Sequence, residues 1–232
     1  MQIEHTDVVI VGAGLSGIGA AYHLTKQCPD HKYLILESRG AIGGTWDLFR
    51  YPGIRSDSDM HTLGYSFKPW KHEKAIADGP AILDYIHETA REYGVEQHIH
   101  YNHRVEHLSW DSMSATWSIV LKVNGQDNVS MTCNFVYSCT GYYRYDQGYM
   151  PEFPGAGAFK GEIIHPQKWP ENLDYSDKKV VVIGSGATAI TLVPSMATSA
   201  AHVTMLQRSP TYVISRSEKD STAKTLERYL PD

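Results

Sequence analysis

Asp7-Val8-Val9-Ile10-Val11-Gly12-Ala13-Gly14-Leu15-Ser16-Gly17 decides the fold. A short apolar run ending in glycine reads as a buried parallel strand. The small-residue text that follows, to about Lys26, reads as a helix, and Tyr33-Leu34-Ile35-Leu36-Glu37 reads as a second strand. Together they make one β-α-β unit of about thirty residues. The turn is G-x-G-x-x-G. Gly12 permits the sharp reversal, Gly14 leaves room for a pyrophosphate to approach the backbone, and Gly17 lets helix and strand pack closely. The loop amides and the helix N-terminus would hold the diphosphate. Glu37 follows Gly17 by 20 residues, where a carboxylate would accept hydrogen bonds from a ribose.

A second unit of the same kind opens at Val180-Val181-Val182-Ile183. Its loop, Gly184-Ser185-Gly186-Ala187-Thr188-Ala189, is G-x-G-x-x-A, and Val203-Thr204-Met205-Leu206 is its next strand. Gln207 and Arg208 stand where Glu37 stands in the first unit. A guanidinium there can hold a 2′-phosphate through paired, charge-assisted hydrogen bonds, whereas a carboxylate would repel it. Arg208 therefore points to NADP(H) over NAD(H), its alternative being an ordinary surface arginine. Two different nucleotide sites on one chain imply electron transfer from NADPH to a flavin, and the first site, with its acidic ribose ligand, suits FAD.

Between the units, Asp78-Gly79-Pro80 starts a helix whose apolar face is Ile82, Leu83, Ile86, Ala90 and Tyr93, with Gly94 placed to end it. Ala115 to Cys133 reads as a β-hairpin turning at Asn124-Gly125, and Phe135 to Cys139 as a further buried strand. Pro151, Pro154, Pro166 and Pro170 interrupt residues 142–178, which read as a crossing between domains. The expected organisation is an FAD-binding domain at 1–142, a linker at 143–178 and an NADP-binding domain at 179–232. A domain of this plan needs more parallel strands than one β-α-β unit provides, so the second domain looks unfinished.

Composition narrows the function classes. The 232 residues are 42% hydrophobic with formal net charge −5, which allows a packed core and argues against disorder. The absence of a Lys/Arg run makes nucleic acid a poor partner. Three cysteines (Cys28, Cys133, Cys139) without a C-x-x-C pair fit a reducing, cytoplasmic compartment. Val8 to Leu24 carries no charged side chain, but acidic residues precede it and four glycines interrupt it, so neither a signal peptide nor a spanning segment is expected. His98, His100, His103 and His107 lie close together without a cysteine, and a solvated loop and strand edge suits them better than a metal site.

Two further stretches carry a family resemblance. Phe159-Lys160-Gly161-Glu162-Ile163-Ile164-His165-Pro166-Gln167-Lys168-Trp169-Pro170 fits F-x-G-x-x-x-H-x-x-x-W-P, and its alternative is a proline-rich connector. Gly43-Gly44-Thr45-Trp46-Asp47-Leu48-Phe49-Arg50-Tyr51-Pro52-Gly53-Ile54-Arg55-Ser56-Asp57 fits G-G-x-W-x-x-x-x-Y-P-G-x-x-x-D. Both resemble the signatures of Baeyer–Villiger monooxygenases, class B flavoprotein monooxygenases. Gly43 to Asp59, Asp78-Gly79, His165-Pro166-Gln167 and Leu206 to Pro210 resemble the ethionamide-activating branch, and the likeness covers essentially the whole chain.

The resemblance implies two Rossmann-like domains in an α/β fold, the NADP domain inserted in the FAD domain and truncated here. Gly12, Gly14, Ser16, Gly17, Glu37, Gly44, Thr45, Trp46, Asp57 and the backbone near Val105 would contact FAD. Arg55, Ser56, Gly184, Ser185, Gly186, Ala187, Thr188, Ala189, Gln207 and Arg208 would contact NADP. Asp57 would orient a catalytic arginine beside the flavin. His165 and Trp169 would couple the domains, with a plain hydrogen-bonded linker role as the alternative for His165. The implied reaction inserts one oxygen atom of O2, through a flavin C4a-peroxide, into a ketone or a sulfur-containing substrate. The arginine that stabilises negative charge in that family lies downstream of the present sequence. An N- or S-oxygenating flavin monooxygenase, or a nucleotide-binding protein without turnover, are the alternatives.

Overall fold

The computed structural model describes residues 5–215 and 217–229. Along the chain the elements are β1 (His5–Val11), α1 (Leu15–Gln27), β2 (Tyr33–Leu36), α2 (Thr45–Leu48), α3 (Met60–Leu63), α4 (Gly79–Glu92), β3 (Ile99–His100), β4 (His103–Asp111), β5 (Thr116–Val123) and β6 (Gln126–Ser138). They continue with β7 (Lys179–Ile183), α5 (Ala187–Met196), β8 (His202–Leu206) and α6 (Ser221–Tyr229). The chain divides into two compact units. One holds the described residues through Leu48 together with Ile82–Tyr143. The other holds Phe49–Ala81 and the described residues from Arg144 on.

The first unit is a six-stranded sheet of order β3-β2-β1-β6-β5-β4. β1, β2, β3 and the end of β6 run parallel, as crossover connections demand, while β4, β5 and the start of β6 form an antiparallel meander. Val9, Leu36, Ile119, Leu121, Met131 and Cys133 form the core between the two halves, each at most 2% exposed. Each large aliphatic side chain buried this way stabilises the fold by about 1.5–3 kcal/mol. Asp78 caps α4 by accepting the Ala81 N–H at 3.0 Å, and the helix buries Ile82, Tyr85, Ile86, Thr89 and Ala90. Gly94, at φ +67°, ends the turn beyond it.

One expectation changes here. The second arm of the hairpin and the strand read separately from Phe135 are one 13-residue strand, β6. Its first half pairs with β5 and its second half with β1, and Thr132 and Cys133 pair on both sides. Asn134, a poor strand former, is accommodated because its side-chain oxygen meets the His5 ring at 3.2 Å. Nor is that strand buried throughout. Phe135 and Tyr137 are 55% and 49% exposed, although strand alternation places them on the same face as the buried Met131 and Cys133. The hairpin turn itself is as expected, with Asn124 at φ +51° and Gly125 at φ +78°. Cys133 is fully buried and Cys139 partly so, and burial pushes each thiol up to about 11.

The second unit contains the parallel pair β7-β8 with α5 packed on it. Val181, Ile183 and Leu206 lie on one face of that pair and are more than half exposed, whereas Ala189, Leu192 and Met196 of α5 are buried. No helix among the described residues is long and apolar enough to cross a membrane. The same residues contain no group of three or more His, Cys, Asp or Glu side chains arranged to hold a metal ion.

Candidate functional site

The first glycine loop joins β1 to α1. Gly12 sits at φ +106°, and a Cβ there would lie 2.5 Å from the Cys139 carbonyl oxygen. A Cβ on Gly17 would lie 1.9 Å from the Gly12 carbonyl oxygen. Both glycines are thus required by the fold itself. Gly14, which caps α1, is different. Its Cβ would meet nothing nearer than Gly44 Cα at 3.7 Å, an ordinary contact. The protein therefore has no internal need for glycine at 14, and its backbone leaves room for a further atom at the helix N-terminus, in ordinary contact with Gly44. That is the fit a diphosphate requires. Ser16, on the first turn of α1, is exposed.

Glu37 immediately follows β2 and is only 4% exposed. Its Oε2 accepts the Ala13 N–H at 2.8 Å, and its Oε1 accepts the Arg39 N–H at 2.9 Å and the Ser38 hydroxyl at 3.3 Å. The carboxylate thus ties the glycine loop to the end of β2, and it keeps acceptor capacity for a sugar hydroxyl, since an ionised carboxylate has about four lone-pair sites. Gly43 donates its N–H to the Ala13 carbonyl at 3.0 Å, which sets the Gly43-Gly44 turn beside the loop. Gly44, at φ +56°, precedes Thr45 and Trp46, both half-buried in α2. An Arg39–Asp47 ion pair braces the same turn. Val105 lies in β4, packed against the core, where the β4-β5 register shifts between Val105 and His107. The extra residue, Glu106, leaves ladder groups unpaired beside it.

The second unit holds the other group. Gly184 is at φ +134° and donates its N–H to the Leu206 carbonyl at 2.8 Å, tying the loop to the end of β8. A Cβ on Gly184 or Gly186 would meet nothing within 4 Å. Ala189, in the first turn of α5, is buried, which suits a small residue at the third position of this motif. Ser185, Ala187 and Thr188 complete the turn into α5. Gln207 and Arg208 follow β8 and are exposed. Arg55 pairs with Asp78 in an isolated antiparallel bridge and is exposed, as is Asp57. Ser56 is buried, and its hydroxyl closes its own turn by donating to the Ser58 carbonyl at 2.7 Å while accepting the Ser58 N–H at 3.1 Å. His165 precedes the single helical turn Pro166–Lys168 and caps it, with Nδ1 accepting the Gln167 N–H at 3.2 Å. Its ring lies over Gly148, where a Cβ would approach it to 2.0 Å. Gln167 is buried and donates to the Arg144 carbonyl at 2.6 Å. Trp169 meets Tyr175 edge to face.

Residues 5–226 match the model of the flavin-binding monooxygenase-like family. This chain belongs to that family. It is 59% identical over 229 residues to the FAD-containing monooxygenase EthA of Mycolicibacterium smegmatis, covering 98% of this chain and 46% of that protein. It is 56% identical over 230 residues to EthA of Mycobacterium tuberculosis, covering 99% of this chain and 47% of that one. The chain thus spans about half the length of these curated relatives. Among solved structures, an oxidized steroid monooxygenase bound to NADP superposes with a TM-score of 0.78 at 29% identity, over 90% of this chain and 39% of that one. OTEMO in complex with FAD and NADP gives 0.75 at 32% identity, over 88% and 39%.

In this family member, three contributors escaped the sequence reading. Ala13 supplies the N–H that Glu37 holds, and the Arg39–Asp47 pair supports the Gly43-Gly44 turn. Tyr51, only 7% exposed, hydrogen-bonds the Thr188 side chain. Tyr51 was visible inside the Y-P-G motif, but its partner is in the other glycine loop, which no local pattern announces.

Proposed function

We propose that this chain forms the FAD- and NADPH-binding portion of a flavoprotein monooxygenase that oxygenates a ketone or a sulfur-containing small molecule with O2. The observation that carries the reading is the contrast between two loops of one geometry. Each has a central glycine at a helix N-terminus where a Cβ would meet no clash, but one is followed by the buried carboxylate of Glu37 and the other by the exposed guanidinium of Arg208. The first combination suits an unphosphorylated ribose and so FAD; the second suits a 2′-phosphate and so NADP. Among the relatives, EthA is named for its FAD, and the steroid monooxygenase and OTEMO structures carry NADP, the latter with FAD.

The residues act by binding and orienting. Amides of residues 14–16 and 186–189 receive the two diphosphates; Glu37 holds a ribose of FAD while bracing its own loop through the Ala13 N–H; Arg208 and Gln207 hold the 2′-phosphate end of NADP. Arg55, Ser56 and Asp57 sit on one turn in the second unit, with Asp57 aligning positive charge at the reacting end and His165 holding the segment that leads into β7. When bound, the flavin supplies hydride acceptance and oxygen activation. The test is to purify the protein, measure bound flavin, and follow NADPH consumption with a cyclic ketone, with a thioether and with neither. Substrate-dependent NADPH consumption with transfer of one atom of labelled O2 to product supports the reading. Bound flavin without any substrate oxygenation favours a nucleotide-binding protein without turnover.

A further inference from the structure

We infer that Tyr51 is a positioning residue for the second glycine loop: its hydroxyl, held by the Thr188 side chain, fixes the first turn of α5 in the form that receives a dinucleotide diphosphate. This rests on the NADP reading of that loop. The N-terminus of α5 needs such a device. Gly186, its cap, has no side chain, and the first helical bond runs from the Ile190 N–H to the Gly186 carbonyl at 3.1 Å. The preceding amides have no intrahelical acceptor and are the groups a diphosphate would take. The Gly184 N–H anchors the start of the loop to the Leu206 carbonyl, but a Cβ on Gly184 or Gly186 would meet nothing within 4 Å, so the first turn of α5 gains no packing from its own glycines.

The Tyr51-Pro52-Gly53 turn supplies what the loop lacks. Tyr51 is buried, its ring 5.9 Å from that of Phe49, so its hydroxyl is delivered from a fixed platform. Gly53, at φ +76°, lies flush on α5. A Cβ there would fall 1.9 Å from Ser195 Oγ and 3.2 Å from the Thr191 carbonyl oxygen. Two turns of α5 are thus engaged by one tripeptide, Thr188 through its side chain and Thr191–Ser195 through close packing. Burial, with a smaller contribution from the charge of Asp57, raises the Tyr51 phenol above its ordinary value of 10.0. The hydroxyl therefore stays neutral at physiological pH and brings no negative charge beside the phosphates.

The experiment uses Tyr51→Phe and Thr188→Val, singly and combined, in the purified protein. NADP+ affinity is measured by calorimetric titration, alongside retained flavin and thermal midpoint. Tyr51→Phe keeps the ring and its packing. It should raise the Kd for NADP+ about three- to tenfold, the effect of one net hydrogen bond, with flavin content and thermal midpoint unchanged. The double variant should bind no more weakly than the weaker single variant, because both substitutions break one contact. An unchanged Kd in Tyr51→Phe, additive losses in the double variant, or a loss that appears only with a lowered thermal midpoint would each overturn the positioning role. Failure of the unsubstituted protein to bind NADP+ at all would overturn the functional reading and this inference with it.

Discussion

Glycine 14 and glycine 17 look equivalent in the G-x-G-x-x-G pattern, yet the structure asks different things of them. A Cβ at 17 would collide with backbone at 1.9 Å, while one at 14 would touch only Gly44 Cα at 3.7 Å. Gly17→Ala should therefore destabilise the fold by about 3 kcal/mol or more, as forced overpacking does. Gly14→Ala should stay within about 0.5 kcal/mol of the parent by chemical denaturation and yet bind flavin poorly. Full flavin retention in Gly14→Ala would remove the main support for the first site. At Glu37 one carboxylate oxygen accepts the buried Ala13 N–H and the other the partly buried Arg39 N–H. A glutamine offers only one acceptor oxygen, so Glu37→Gln should cost about 1–3 kcal/mol even without ligand; an isostable variant would show that the loop does not depend on that brace. The placement of the loop glycines and Glu37 beside one another was legible because strand, turn and helix lie within one short segment. The Ala13 N–H and the Tyr51–Thr188 contact were not, since their partners are set by tertiary packing.

At the level of elements, periodicity located β1, β2, α1, α4, β5, β7 and β8, because each has a one-sided or continuous apolar pattern. It failed at β6, where one strand serves two neighbours of opposite direction and its side chains change surroundings midway. Of the histidines at 98–107, His107 is exposed, while His98, His100 and His103 are half-buried. His100, on the edge strand β3, is half-buried and its carbonyl accepts the Glu37 N–H at 3.0 Å. Burial first, then the charges of His103 and His98, lowers its pKa from 6.5. The unfolded chain therefore takes up this proton at higher pH than the folded one. Stability contributed by neutral His100 is complete above about pH 6.5 and is lost as pH falls below it. Denaturant unfolding between pH 7.5 and 5 should show that decline, and His100→Gln should flatten it. An equally steep decline in the variant would assign it to other groups.

Across the whole molecule, each unit carries its own glycine loop, and the Gly43–Asp57 signature contributes to both. Gly43 is bonded to the first loop, and Tyr51 and Gly53 are seated on α5. A linear motif of this kind marks shared duty in a way that neither loop pattern does alone. On the proposed reading the loops differ in cofactor through Glu37 and Arg208. Arg208→Ala should weaken NADPH binding at least tenfold while leaving NADH binding nearly unchanged, since a paired guanidinium–phosphate contact is among the stronger hydrogen-bonded interactions. Equal losses for both nucleotides would make Arg208 an ordinary surface cation. The central claim, that one chain holds a flavin in the first unit and a 2′-phosphorylated nicotinamide dinucleotide in the second, meets its most direct test in anaerobic titration of the flavin-loaded protein with NADPH and with NADH, read from flavin absorbance. The account predicts bleaching of the flavin by NADPH at concentrations at least tenfold lower than by NADH. A protein that retains no flavin, or one bleached equally well by both nucleotides, would contradict it.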